Sequence, residues 1–205
     1  MKESPINFEQ SHFFQELLNR YIESVSLSLS KFFNDNVSFV LHKSQKTTVD
    51  QIEHHIKLKD DEEICTSYIK GTGDIIINFI VMIKKNDLEK FQTKFNKFFE
   101  PLYEDYKISL LAETSNIMAG SFLNPICNST GLTVNPTVPF IAIDLYSPTL
   151  NSCISDMMDY LKNIFFIECD FITSDNLVIK LLVVFDIMSV PKILGYNEDE
   201  IEQFD

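Results

Sequence analysis

Apolar residues recur every three or four positions along two long stretches of the chain, which is the spacing of one face of an α-helix. The first stretch covers about residues 8–33 and the second about residues 107–129. Residues 34–36, Asn-Asp-Asn, are typical of a helix end, and Gly131 is a residue that commonly follows a last helical turn. The pattern therefore predicts two long amphipathic helices.

Shorter segments between and after these helices predict further elements. Helical spacing covers about 87–99, with Asp87 as a candidate N-cap, and about 150–162. Runs rich in β-branched and aromatic residues predict strands at 37–41, 64–69, 75–83, 138–145, 165–172 and 177–186. Gly-rich residues 71–73 and the Ser-Asp-Asn of 174–176 separate two pairs of these runs. Each pair is therefore expected to form a β-hairpin.

The order helix, strand, hairpin occurs twice, in halves that cover about 8–99 and 107–187. This order predicts an α+β fold: two pseudo-symmetric halves, with an antiparallel sheet packed by long helices. We expect a single domain over 1–205. Residues 43–62 are polar, and the charge run at 60–63, Asp-Asp-Glu-Glu, is expected to form a solvated loop. Residues 197–205 are expected to form an acidic tail.

Composition narrows the function classes. The 205 residues are 45% hydrophobic, which allows a sizeable core, and the net charge of −13 disfavours binding to nucleic-acid phosphates. The longest apolar runs, such as 75–83, are far shorter than the ~20 residues of a membrane helix. The four cysteines lack CxxC spacing and predict free thiols. With no signal-like segment at the N-terminus, these features predict a soluble, cytoplasmic protein without a membrane partner.

The second long helix carries the strongest candidate chemistry. At ~100° per residue, Ser109, Glu113, Asn116 and Gly120 fall on one side of it. The other side is an apolar stripe of Ile108, Leu111, Ala112, Ala119, Phe122, Leu123 and Ile126. The first helix repeats the acid–amide spacing, because Glu16 and Asn19 precede Glu113 and Asn116 by 97 residues. A solvent-exposed polar helix face is the alternative explanation for both pairs.

Other groups are weaker candidates. Residues 71–74, Gly-Thr-Gly-Asp, lack the lysine of a phosphate-binding loop and do not begin a helix. His54 and His55 are adjacent, so they point apart on a regular element, and no further ligands accompany them; no metal site is expected. Asp144 and Asp186 end apolar strands, where edge or turn positions compete with acid–base roles.

The motif Ser109-x3-Glu113-x2-Asn116, followed after twenty-two residues by Pro139, resembles the signature of the CheC/CheX/FliY phosphatases of bacterial chemotaxis. The flanking segments ETSNIMAGSFLN, TGL and PTVPFIAID are similar to the second half of CheC. The resemblance covers roughly residues 10–187 and is nearest to CheC.

The resemblance implies a cytoplasmic phosphatase that hydrolyses the aspartyl phosphate of a phosphorylated CheY-type response regulator and so terminates a chemotaxis signal. Asn116 would orient the attacking water, and Glu113 would pair with a lysine of the receiver. Ser109 and Gly120 would belong to the docking surface. The receiver supplies Mg²⁺, so the chain needs no cofactor of its own.

At the first site, Glu16 and Asn19 would have the same two roles. That site departs from the pattern, since His12 replaces the Ser or Asp of the signature, His42 replaces its Pro, and Glu23 stands where the second site has Gly120. We therefore expect the second site to be the main one. The alternative function is a non-catalytic adaptor of the same fold, which would bind CheY, belong to the flagellar switch or act as a partner of CheD.

Overall fold

The computed structural model describes residues 12–56, 62–94 and 104–196. Its helices are α1 (His12–Phe33), α2 (Ile52–His55), α3 (Leu88–Thr93), α4 (Glu104–Thr130), α5 (Tyr146–Met158) and α6 (Ser189–Ile193). Its strands are β1 (Val37–Thr48), β2 (Glu63–Gly73), β3 (Ile77–Lys84), β4 (Val134–Pro136), β5 (Phe140–Leu145), β6 (Asn163–Thr173) and β7 (Val178–Asp186).

All seven strands join one antiparallel sheet in the order β1-β6-β7-β3-β2, with β4 and β5 both paired to β2. The hairpins β2–β3 and β6–β7 meet at the centre, where β3 pairs with β7. Each half gives its outer strand to the other half: β1 pairs with β6, and β5 pairs with β2. The expected α+β fold with two pseudo-symmetric halves is confirmed.

Both faces of the central strands are buried, because strand residues alternate between two apolar clusters. Phe79, Val81 and Ile83 face the cluster that contains the apolar stripes of α1 and α4. Ile80 and Met82 face the cluster that contains α5 and α2. The fold therefore has three layers: the long helices, the sheet, and the shorter helices.

The strand expected at 37–41 is present but extends further than predicted, and Glu63 of the expected loop already belongs to β2. β1 runs from Val37 to Thr48 with a β-bulge between Leu41 and Lys43, and a 3-10 turn and α2 follow it. β1 is the outer strand of the sheet and is only partly covered, so its C-terminal half carries polar side chains. The apolar pattern that identifies a buried strand is consequently missing there.

Other boundaries also differ from expectation. α5 begins at Tyr146 and ends at Met158, about four residues earlier than expected. The strand expected at 138–145 is β5 at Phe140–Leu145, preceded by the separate β4. Asp87 occupies the position before α3 but makes no side-chain capping hydrogen bond. The expected helix residues 95–99, the charged residues 60 and 61 and the tail 197–205 lie outside the described residues.

Turn residues behave as expected at two positions. Gly131 follows α4 with φ of 75°, and its N–H donates to the Cys127 carbonyl at 2.9 Å. Asn176 turns the β6–β7 hairpin with φ of 62°. Both adopt the left-handed conformation that Gly and Asn tolerate best.

The four cysteines are free thiols, as expected, and three of them are buried. Burial raises the pKa of Cys65 to about 11 and is the main cause that raises those of Cys153 and Cys169 to about 12.

Within the three described stretches, no helix is both long enough and apolar enough to cross a membrane.

Candidate functional site

α4 separates its polar and apolar residues sharply around the candidate pair. Glu113 and Asn116 are exposed, whereas Thr114 and Ser115 between them are fully buried. The Ser115 hydroxyl donates a hydrogen bond to the Leu111 carbonyl one turn earlier at 2.7 Å, so this buried hydroxyl has a partner inside the protein. The carboxylate and the amide therefore point to the same exposed side of the helix.

The remaining residues of this surface lie one turn to either side. Ser109 is exposed, and Gly120 is partly exposed near the middle of the helix. A β-carbon added to Gly120 would have no heavy atom within 4 Å. We call the residues Ser109, Glu113, Asn116 and Gly120 the α4 face.

No hydrogen bond or ion pair within the described part of the chain engages the Glu113 carboxylate or the Asn116 amide. Both groups are thus available to a molecule that docks on the α4 face. The predicted apolar stripe on the other side of α4 is largely buried, but Ile108 is 37% exposed, and Leu110 is buried instead.

α1 presents a similar face with different chemistry. Glu16, Asn19 and Glu23 are all exposed. The Nδ1 atom of His12 lies 3.6 Å from Oε1 of Glu16, so a protonated His12 would form an exposed ion pair with that carboxylate. Glu23 places a charged side chain where the α4 face has Gly120.

Aromatic packing holds α1 and α4 on the sheet. The Phe122 ring of α4 is fully buried and contacts three other rings, with centroid distances of 5.6 Å to Tyr21, 5.8 Å to Phe79 and 6.0 Å to Phe185. These contacts join α4 to α1 and to both central strands. The backbone below the α4 face is therefore anchored in the core.

His42, His55 and Pro139 lie outside the two helix faces. His42 is in β1 and its Nε2 lies 2.8 Å from Oδ2 of Asp170. His55 stacks on Phe166 at a centroid distance of 5.8 Å. Pro139 directly precedes β5. The described residues contain no group of three or more His, Cys, Asp or Glu side chains suited to a metal ion.

A second polar cluster, which the sequence did not predict, lies on the opposite side of the sheet. Nζ of Lys70 donates to Oδ1 of Asp156 at 2.6 Å, and the Tyr68 hydroxyl donates to Oδ2 of Asp156 at 2.9 Å. The hydroxyls of Tyr68 and Tyr160 lie 3.0 Å apart, and both contact Oδ1 of the buried Asn78. These residues are far apart in the chain, and only the period-two spacing of Tyr68 and Lys70 is a local signal.

Electrostatics couples the members of this cluster. The hydrogen bond from Lys70 to Asp156 is the main cause that raises the pKa of Lys70. Burial works against ionisation of Asp156, but the hydrogen bonds from Lys70 and Tyr68 outweigh it and lower the pKa of that carboxyl. Burial also raises the pKa of Tyr68 well above its usual range. Lys70 and Asp156 therefore form a charged pair at neutral pH.

No protein-family model and no curated protein matches the sequence. Solved structures do match over most of the chain. FliY from Thermotoga maritima matches with a TM-score of 0.66 at 14% identity, covering 100% of both chains. CheX from Borrelia burgdorferi, in a complex with CheY, BeF3 and Mg²⁺, matches with a TM-score of 0.53 at 14% identity, covering 82% of this chain and 97% of that one.

FliM from H. pylori, in a complex with SpeE, matches with a TM-score of 0.60 at 10% identity, covering 94% of this chain and 95% of that one. The fold implied by the sequence resemblance is thus confirmed: this chain has the fold of the CheC, CheX, FliY and FliM proteins. One fold can carry different activities, so the activity has to be argued from the α4 face.

Proposed function

We propose that the chain is a phosphatase that docks a phosphorylated CheY-type receiver domain on the α4 face and hydrolyses its aspartyl phosphate. The observation that carries this proposal is the exposure of Glu113 and Asn116 on one side of a helix whose other side is anchored in the core. The fold shared with CheX and FliY supports it.

The reaction requires few catalytic groups from this chain. A water oxygen attacks phosphorus in line with the bond to the aspartate oxygen, that bond breaks, and the products are inorganic phosphate and the free carboxylate. The receiver's Mg²⁺ and lysine neutralise charge on the phosphoryl oxygens. Asn116 would accept one hydrogen bond from the water and donate another, which fixes the water in line with the phosphorus.

Glu113 would position the partner. A carboxylate one helical turn from Asn116 can pair with the receiver's lysine, and such a charge-assisted hydrogen bond is stronger than a neutral one. Glu113 has no competing cation among the described residues, so it need not exchange an internal ion pair for the new one.

We assign the main activity to the α4 face rather than to Glu16 and Asn19. The extra carboxylate of Glu23 would repel the acidic and phosphorylated surface of a receiver. His12 also competes for Glu16 when it is protonated. Both effects weaken docking on α1.

The test is a dephosphorylation assay. The chain is added to CheY labelled with acetyl phosphate and Mg²⁺, and the loss of phosphoryl groups is followed. We expect acceleration by the natural chain and a loss of about 100-fold or more in Asn116→Ala, the size typical of removing a positioned catalytic group. Asn128→Ala is the matched control, because Asn128 is exposed on the same helix about 18 Å further along. No acceleration at excess protein would refute the enzyme assignment.

A non-catalytic adaptor is the second candidate, and the match to FliM favours it. An adaptor would bind the receiver through the same surface without releasing phosphate. Binding measured by isothermal titration calorimetry, together with the phosphate assay, separates the two: an adaptor retains affinity and shows no turnover. Co-elution with CheD or with flagellar motor proteins would identify the adaptor's partner.

A further inference from the structure

A cavity of about 510 Å³ lies between α5 and the outer part of the sheet, on the side away from the α4 face. Its volume is in the range of roughly 300–1,000 Å³ that is typical of small-molecule sites. It belongs neither to the α4 face nor to the helix pair α1–α4. The cavity is thus a candidate binding site independent of the proposed phosphatase function.

The sheet register builds the floor of this cavity. Thr66 pairs with Ala142 and Tyr68 pairs with Phe140, so alternate residues of β2 and β5 face the same space. α5 forms the roof with residues spaced by one turn, including Ser152 and Asp156. Phe140 is 68% exposed, which leaves an apolar ring at the mouth for a ligand to cover.

Two polar groups in this cavity have unused hydrogen-bonding capacity. Thr66 is only 2% exposed, yet its hydroxyl has no hydrogen-bond partner in the described part of the chain. A buried hydroxyl without a partner is destabilising. Nζ of Lys70 uses one of its three N–H groups, on Asp156. A ligand with a hydrogen-bonding group would pair with both positions.

The charges define which ligand fits. Lys70 and Asp156 neutralise each other, so Lys70 offers no unpaired positive charge to an anionic ligand. Asp144 at the exposed edge and the net charge of −13 further disfavour anions. Phe140, Ala142 and Pro148 contribute apolar surface to the lining.

We propose that this cavity binds a small uncharged organic molecule that has an apolar body and a carbonyl or hydroxyl group directed at Thr66 and Lys70. Prodan, an uncharged naphthalene with one carbonyl group, is a suitable probe because its emission shifts to the blue in an apolar site. Titration of the natural chain with prodan is expected to give a saturable, single-site blue shift.

Variants locate the bound probe. Ser152→Phe adds a ring to the cavity from an exposed position of α5. We expect it to weaken prodan binding by about tenfold or more, because the ring takes space that the probe needs and the resulting clash resembles the overpacking of a core. Asn151→Phe is the matched control, because Asn151 is exposed on the same helix and points about 100° away from Ser152; it should leave affinity within about twofold.

A third variant tests the polar contact. Thr66→Val keeps the shape and removes the hydroxyl, and it is expected to weaken prodan binding by about threefold, the lower range of one hydrogen bond, while thermal unfolding shows an intact fold. The absence of a saturable blue shift, or equal affinity in Ser152→Phe and the natural chain, overturns the proposal. If Ser152→Phe unfolds, Ser152→Leu replaces it with the same criterion.

Discussion

Replacing Gly120 with alanine tests whether this glycine allows a partner to approach the α4 face closely. Gly120 lies in the interior of α4, where glycine is about 1 kcal/mol less favourable than alanine. No heavy atom lies within 4 Å of the added methyl group, so the new side chain meets no clash. Packing within the described residues therefore offers no reason for a glycine at this position.

We expect Gly120→Ala to stabilise the protein by about 0.5–1 kcal/mol, which corresponds to a rise in Tm of roughly 1–4 °C for a chain of this size. The same methyl group would stand between α4 and a docked receiver. Overpacking a close contact costs about 1–3 kcal/mol, so the rate of dephosphorylation at limiting protein should fall by roughly 5- to 150-fold.

Urea unfolding and the phosphate-release assay measure the two effects on the same preparation. Asn128→Ala is the control, because it also raises helix propensity on the exposed surface of α4 but lies away from Gly120. A stabilised variant with unchanged activity would refute close approach of a partner at Gly120. A destabilised variant would refute the open surroundings that the structure shows.

Three further predictions concern the first site, the core and a charged cluster. Asn19→Ala should change the dephosphorylation rate by less than about threefold, because Glu23 disfavours docking on α1; a loss equal to that of Asn116→Ala would reverse the ranking of the sites. Phe122→Ala should lower the free energy of unfolding by about 3–5 kcal/mol in urea titrations, since the ring is fully buried among three others; a loss below about 1 kcal/mol would contradict this packing. Hydrogen bonds from Lys94 and then Ser174 lower the pKa of Asp35 to about 2. The stabilisation by Asp35 is therefore complete above the unfolded pKa of about 3.9 and is lost as the pH falls toward about 2. Asp35→Asn should cost about 1 kcal/mol at pH 7 and almost nothing near pH 2, as followed by thermal unfolding at each pH; a constant difference across this range would exclude the ionised carboxylate as the cause.

The sequence predicts elements well where periodicity and burial agree. The two hairpins were found because β2, β3, β6 and β7 are buried on both faces and carry continuous β-prone runs. The apolar pattern predicts only the first five residues of the edge strand β1, because residues 42–48 are polar. α5 begins about four residues before the helical spacing predicts, and Pro148 lies in its first turn, where proline is tolerated.

The functional candidates likewise include residues that the sequence predicts and residues that it does not. The motif spacing on one helix was sufficient to place Glu113 and Asn116 on an exposed side, because helical geometry is local. The sequence does not indicate the cluster of Tyr68, Lys70 and Asp156, because Asp156 lies 88 residues from Tyr68 and 86 from Lys70. No local rule states which helix covers which strand.

The sequence alone determined the helix and hairpin repeat, the polar face of α4 and the acidic character of the chain. Only the tertiary structure decided that the halves exchange their outer strands, with β1 on β6 and β5 on β2, and that α5 closes a cavity over β2. The physical reason is the separation along the chain over which each feature is determined. Helix and strand geometry repeats over two to four residues, so the side chains of neighbouring residues indicate it. Which strands pair depends instead on how segments that are distant in the chain pack their apolar faces together in the tertiary structure.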